Sequence, residues 1–133
     1  MVLLDTNLFM YAGGAEHPNK APAARFLERV TSNEVEAAIG AETLQEILHR
    51  YRALNRWEDG RRVYDHARTL IPTVFPVTAS ILDSARDLLD DNPKLVARDA
   101  LHAAVALEHT GGQICSFDDD FDEIEGIKRT VPR

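Results

Sequence analysis

Short apolar runs alternate with longer amphipathic segments along the chain. The first run, "VLL", predicts a buried strand that ends at Asp5. In "AETLQEILHRYRAL" the apolar residues recur at spacings of three, four and seven, which is the pattern of a helix with one buried face: Leu44, Ile47, Leu48 and Tyr51. The start of the chain therefore predicts strands and helices in alternation.

Other segments of the first half fit the same alternation. Residues from about 7 to 32 are expected to be helical, with breaks at Gly13-Gly14, Pro18 and Pro22. "EAAIG" predicts a weak strand before the helix of "AETLQEILHRYRAL". A further helix is expected from near Trp57 to Leu70, because Pro72 disfavours helix in the residue before it.

The second half continues with strand candidates in "TVFPV", "QICSF" and "IKRTV". Thr78 is the expected N-cap of a helix that ends at Asn92-Pro93. The alanine-rich stretch "ARDALHAAVALEHTGG" predicts a helix packed close to the sheet and closed by Gly111. The segment "DDDFDEIEG" is expected to be an acidic loop.

This order of elements predicts an α/β fold with a mainly parallel sheet covered by helices on both faces. Residues 1–133 are expected to form a single domain, since domains commonly contain about 100–150 residues. Ligands in such folds bind beyond the carboxyl ends of the strands. Asp5 and Asp118 each follow a strand candidate, so both are expected to point into one crevice.

Composition narrows the class of protein. The single cysteine, Cys115, excludes an internal disulfide and leaves no thiolate metal motif. Asp5 interrupts the only place for a signal peptide, and no apolar stretch approaches the roughly 18 residues of a membrane span. A soluble, cytoplasmic protein is expected.

The net charge of −7 argues against a simple nucleic-acid binder, but the charge is unevenly distributed. Between His49 and Arg68, arginines outnumber acidic residues six to three. Such a basic region beside an acidic one can attract a phosphate backbone while the acidic region holds a cation. A solvated helix surface is the alternative explanation for these arginines.

Several carboxylates are candidates for that cation, and each also has a simpler explanation. Asp5 can cap a helix, Glu46 can be a solvated helix residue, and Asp99 can stabilise the first turn of its helix. Glu42 lies one turn before Glu46 on the same helix face. His102, one turn after Asp99, is the kind of lone histidine that more often packs or bonds locally than binds metal.

The order of four blocks is more specific than any one residue. "LLDTNLF", "ETLQEILHR", "ARDALHAAVA" and "CSFDDDFDEIEGI" together resemble the PIN-domain nucleases, and in particular their small VapC-type toxins. The resemblance spans essentially the whole chain and implies a PIN-like α/β/α sandwich. Phe117 stands where a polar residue is frequent in that family.

The resemblance also implies the site. Carried over by position, the catalytic acids are Asp5, Glu46, Asp99 and Asp118, with Asp5, Asp99, Asp118 and Asp120 as metal ligands. The positions expected to support the site are Thr6, Asn7, Glu42 and Ser116. The expected cation is Mg²⁺ or Mn²⁺, since these ions prefer oxygen ligands, and the expected reaction is RNA hydrolysis that leaves a 3′-hydroxyl and a 5′-phosphate.

Partners follow from the same resemblance. An RNA substrate is expected to be guided by the arginines of the basic region: Arg50, Arg52, Arg56, Arg61 and Arg62. A VapB-like antitoxin and a homodimer are expected as well. The alternatives are a housekeeping RNA-processing nuclease without antitoxin, an inactive PIN-like binding module and, less compatible with Asn7, a phosphoaspartyl phosphatase.

Overall fold

The computed structural model describes residues 1–133 and contains five strands, six α-helices and one 3₁₀ helix. In chain order the elements are β1 (Val2–Leu4), α1 (Asn7–Ala12), α2 (Lys20–Thr31), β2 (Ala37–Gly40), α3 (Ala41–Ala53), α4 (Trp57–Leu70), β3 (Val74–Phe75), α5 (Ala79–Asp91), α6 (Ala97–His109), β4 (Gln113–Cys115), the 3₁₀ helix (Asp119–Glu123) and β5 (Lys128–Thr130). None of these helices has the length and apolar character that crossing a bilayer requires.

The strands form one sheet in the order β3-β2-β1-β4-β5, and every neighbouring pair is parallel. The central strand is β1, whose Leu3 pairs with Ala38 on one side and with Ile114 on the other. The predicted α/β fold with a parallel sheet is therefore confirmed. The strand order reverses between β1 and β4, and such switch points are where parallel sheets open a crevice for ligands.

Two apolar cores lie on opposite faces of the sheet. Successive residues of a strand point to opposite faces, so Leu3 and Ile114 enter one core while Leu4 and Cys115 enter the other. The core around Leu4 is completed by α1, α2, α3 and α4, and the core around Leu3 by α5 and α6. This places helices on both faces and gives the three layers of an α/β/α sandwich.

Most predicted elements are confirmed, but two local predictions are wrong. Thr78 caps α5 as expected, since its Oγ1 accepts a hydrogen bond from the Ile81 N–H at 3.2 Å. Pro22 does not break a helix, because it lies in the first turn of α2, where a backbone N–H has no partner within the helix. The acidic loop contains a 3₁₀ helix, and the Asp118 carboxylate caps it by accepting a hydrogen bond from the Asp120 N–H at 2.9 Å.

Candidate metal centre and cleft

The ends of β1 and β4 bring three polar side chains into contact. The backbone N–H of Asp5 donates to the Cys115 carbonyl at 3.0 Å, which fixes the two strand ends side by side. The Ser116 hydroxyl donates to the Asp5 carboxylate at 2.5 Å and accepts from the Asp118 N–H at 2.9 Å. The Asn7 side-chain amide also donates to Ser116 Oγ, at 3.2 Å. Ser116 thus holds Asp5 in one orientation beside the backbone of Asp118.

Asp99 reaches the same place from the first turn of α6. Its side chain does not cap that helix, whose N-cap is Val96. Burial raises the pKa of Asp99 to about 6, and the negative charges of Asp118 and Asp5 contribute to the increase. Oxygen atoms of Asp99, Asp118 and Asp120 all lie within 4.8 Å of one another. These three carboxylates are therefore close enough to share one cation.

His102 lies beneath the acids and was not singled out as a site residue by the sequence. It is fully buried on α6, one turn after Asp99, and its Nδ1 is hydrogen-bonded to Glu42 Oε1 at 3.0 Å. Its Nε2 lies 2.9 Å from Glu46 Oε1 and 3.5 Å from Asp5 Oδ1, although its N–H is aligned with neither oxygen. His102 thereby connects α3, α6 and the end of β1.

The charge on His102 follows from these contacts. Burial alone lowers the pKa of an imidazole, but the contacts with Glu42 and Glu46 and the charge of Asp5 outweigh it and raise the pKa well above its usual value. These contacts favour the protonated, imidazolium form of the ring. It offsets part of the negative charge that the carboxylates bring together.

The start of α3 is shaped to bring Glu42 to this histidine. A methyl group on Gly40, the residue before the helix, would overlap the Glu42 carboxylate. The glycine φ of −87° is ordinary, so its role is to leave space and not to adopt a special conformation. Nearby, the Thr6 hydroxyl donates to Thr43 Oγ1 at 3.1 Å and ties α3 to the residue that follows Asp5.

The four acids predicted from the sequence line one open cleft of about 680 Å³: Asp5, Glu46, Asp99 and Asp118. They come from β1, α3, α6 and the end of β4, four elements that are far apart in the chain. Thr6 and Asn7 also line the cleft, whereas Glu42 and Ser116 are buried behind its wall. Every predicted site residue thus lies at this end of the sheet, except for part of the arginine set.

The arginines divide into two groups. Arg50 and Arg56 line the cleft, together with Arg98, which the sequence did not suggest. The other three predicted arginines lie outside the cleft lining: Arg52, Arg61 and Arg62. Their surroundings fit surface roles, since Arg52 covers the Trp57 ring at 5.0 Å and Arg62 pairs with Asp59.

The donor atoms fit a hard divalent cation. The cleft offers carboxylate and amide oxygens and no thiolate, which is the ligand chemistry of Mg²⁺ and Mn²⁺. Asn7 Oδ1 is shielded from solvent and has no hydrogen-bond partner, and Asn7 lines the cleft. Buried polar atoms rarely remain unpaired, so this oxygen is available to a ligand in the cleft.

Known proteins share this architecture. The sequence matches the PIN domain family over residues 2–127. It is 42% identical over 129 residues to ribonuclease VapC13 of Mycobacterium tuberculosis, covering 97% of this chain and 98% of that protein. It is also 36% identical over 121 residues to ribonuclease VapC23 of the same organism, covering 89% and 93% of the two chains.

Solved structures show the same fold at lower sequence identity. VapBC2 from Rickettsia felis, bound to a DNA fragment from its promoter, matches with a TM-score of 0.77 and 18% identity over 98% of both chains. VapC20 from Mycobacterium tuberculosis, a toxin that cleaves the sarcin-ricin loop, matches with a TM-score of 0.74 and 18% identity over 96% of this chain and 98% of that one. The chain therefore belongs to the PIN domain family and, within it, to the VapC ribonucleases.

Proposed function

We propose that this protein is a metal-dependent endoribonuclease, the toxin of a toxin–antitoxin pair, and that it acts in the cytoplasm as a single domain. The observation that carries the proposal is the convergence of Asp5, Glu46, Asp99 and Asp118 on one cleft. Carboxylates this close repel each other by about 4 kcal/mol per pair at 4 Å and a near-surface dielectric constant. Such an arrangement is useful only when a cation balances it.

Each acid has a separate part in this proposal. Asp5, Asp99 and Asp118 hold Mg²⁺ or Mn²⁺, and Asp120 assists from the 3₁₀ helix. When bound, the cation stabilises charge on the scissile phosphate and makes water a better nucleophile. Glu46 lines the cleft while its Oε1 lies 2.9 Å from His102 Nε2, and its part would be to orient that water and to take its proton. Water would attack the phosphorus while the P–O3′ bond breaks and the 3′-oxygen takes up a proton, so the products carry a 3′-hydroxyl and a 5′-phosphate.

Cleavage of total RNA with mapping of the new ends tests the proposal. We expect the wild-type protein to cut RNA with Mg²⁺ or Mn²⁺ and to be inactive in EDTA. Asp99→Asn should lose at least a hundredfold in rate, because removing a group that stabilises charge in the transition state costs about 10²–10³. Asp83→Asn, which removes the same charge from the exposed face of α5, is the matched control and should cut normally. A wild type that cuts no RNA with either metal would refute the proposal.

The proposal includes two protein partners. A VapB-like antitoxin would inhibit the toxin by covering the acidic cleft, and a second copy of the chain would form a homodimer. The relatives named above include a VapBC complex from Rickettsia felis. Light scattering of the purified protein and co-purification with the product of the adjacent upstream reading frame test both partners. A monomer at micromolar concentration would contradict the homodimer.

A further inference from the structure

One wall of the cleft is aromatic. The rings of Tyr11, at the end of α1, and His17, in the loop that follows, lie 4.6 Å apart between centroids with an angle of 32° between their planes. The Phe117 ring meets Tyr11 edge-on, at 5.2 Å and 81°. Tyr11 and His17 line the same cleft as the carboxylates. Phe117, next to Asp118 in the chain, packs against the core and supports Tyr11 from behind the cleft lining.

The loop that carries His17 is fixed by its own hydrogen bonds. The Asn19 N–H donates to His17 Nδ1 at 3.0 Å, which sets the direction of the ring. The Lys20 N–H donates to the His17 carbonyl at 3.0 Å, and the Lys20 ammonium donates to the Gly14 carbonyl at 2.5 Å. A surface that is ordered before binding loses little conformational entropy when a flat ligand covers it.

The cationic groups of the cleft come from other elements. Arg50 belongs to α3 and Arg98 to α6; both line the cleft, and neither forms an ion pair with a carboxylate. The aromatic wall carries Glu16 and no arginine. The cleft therefore offers an aromatic surface in one place and free guanidinium groups in another. A ligand that carries both bases and phosphates can contact the two at once.

We propose that Tyr11 and His17 form a stacking subsite for one base of a single-stranded RNA, next to the phosphate that is cut. Arg50 and Arg98 would bind the neighbouring phosphates. Proteins recognise unpaired RNA by stacking its bases on aromatic rings, and a base inside a duplex cannot reach such a surface. The inference rests on the proposed ribonuclease function and adds to it the place where an unpaired base beside the cut is held.

Binding of two probes separates stacking from phosphate recognition. Fluorescence anisotropy with Mg²⁺ present measures affinity for a short single-stranded RNA, and competition measures affinity for inorganic polyphosphate, which has no bases. The parent protein is Asp99→Asn, which leaves the RNA uncut. We expect Tyr11→Ala to weaken RNA binding about tenfold, within the range for one stacked base, and to leave polyphosphate binding unchanged. Tyr11→Phe should retain full RNA affinity.

Three further variants serve as controls. Arg50→Gln should weaken binding of both probes, because it removes a contact to phosphate. His17→Ala, at an exposed position, should weaken RNA binding alone. His109→Ala removes a ring that stacks on Phe75 at 4.1 Å outside the cleft, and it should change neither affinity.

Two results would overturn the subsite. One is RNA binding by Tyr11→Ala and His17→Ala that equals the parent. The other is an equal loss of polyphosphate binding in Tyr11→Ala, which would show a general change in the cleft and not a lost base contact. A protein that cuts RNA while Tyr11→Ala binds it normally refutes the subsite alone. A wild type that cuts no RNA refutes the ribonuclease function itself.

Discussion

At the residue scale, the buried carboxylate of Asp99 lowers the stability of the metal-free fold. The residue is 5% exposed, and burial and the charges of Asp118 and Asp5 outweigh the opposing charges of His102 and Arg98. The pKa of Asp99 is raised from 3.8 to about 6, so the folded protein binds this proton more tightly than the unfolded chain does. Asp99 therefore contributes stability below pH 3.8, and that contribution is lost as the pH rises through about 6.

This behaviour predicts that Asp99→Asn stabilises the metal-free protein at neutral pH. Asparagine keeps the shape and removes the buried charge, so the free energy of unfolding at pH 7 should rise by about 1–3 kcal/mol. The difference between variant and wild type should shrink as the pH falls from 7 to 4. Thermal unfolding in EDTA across that range measures it, and unfolding curves that stay equally separated at all pH values would contradict the raised pKa.

The resemblance to the PIN-domain nucleases identified the acidic residues and the positions that support them, but it did not include the contact of His102 with Glu42. Each acid alone had a simpler explanation, as a helix cap or as a solvated helix residue. The link from His102 to Glu42 joins residues 60 positions apart, and helical periodicity alone does not show how α3 and α6 are oriented toward each other. A weak signal was present, since His102 follows Asp99 by one turn and Glu42 precedes Glu46 by one turn.

At the scale of elements, the site is the place where α3 and α6 dock against the ends of β1 and β4. The ends of a helix could be predicted where its apolar periodicity stops at a proline or begins at a capping residue. This holds for α4 and for α5, which Thr78 caps. The 3₁₀ helix was missed because charge favours a solvated loop, whereas the cap that Asp118 provides depends on the local backbone. Composition indicates that a segment is exposed to solvent, but whether a side chain caps a helix depends on the backbone conformation beside it.

The contact between α6 and α3 predicts a large effect of His102→Gln. The substitution leaves Glu42, Glu46 and Asp5 without their imidazolium, and breaking a buried ion pair in this way costs about 3–5 kcal/mol. Added Mn²⁺ should recover part of that loss, because the cation again balances the carboxylates. Urea unfolding with and without Mn²⁺ measures both effects.

A matched control is available on the surface. His66→Gln makes the same change on an exposed face of α4 and should leave the unfolding midpoint where it is in the wild type. A His102→Gln protein that unfolds at the wild-type urea concentration would show that the histidine only fills space. If Mn²⁺ stabilises His102→Gln by no more than it stabilises the wild type, the histidine and the cation do not offset the same negative charge.

At the scale of the whole molecule, strand order explains why one ion can matter to the entire fold. The order of the strands reverses between β1 and β4 while all strands stay parallel, so the crevice opens between the two halves of the sheet. The four acids belong to elements from both halves and from both helical layers. A cation held there adds a further link between these parts of the chain, beside the central strands and the contacts of His102 with α3.

This connectivity predicts that the divalent cation stabilises the fold as a whole and not only the cleft. A ligand that binds the folded state alone adds about 2.7 kcal/mol when its concentration is a hundred times its Kd. Mg²⁺ or Mn²⁺ should thus raise the melting temperature of the wild type as a single transition, while Na⁺ at equal ionic strength should not.

Asp83→Asn should respond like the wild type. Asp5→Asn should respond little, because it removes an acid from the central strand that joins both halves of the sheet. If Asp5→Asn gains as much from Mn²⁺ as the wild type does, the ion binds elsewhere and the shared site is wrong.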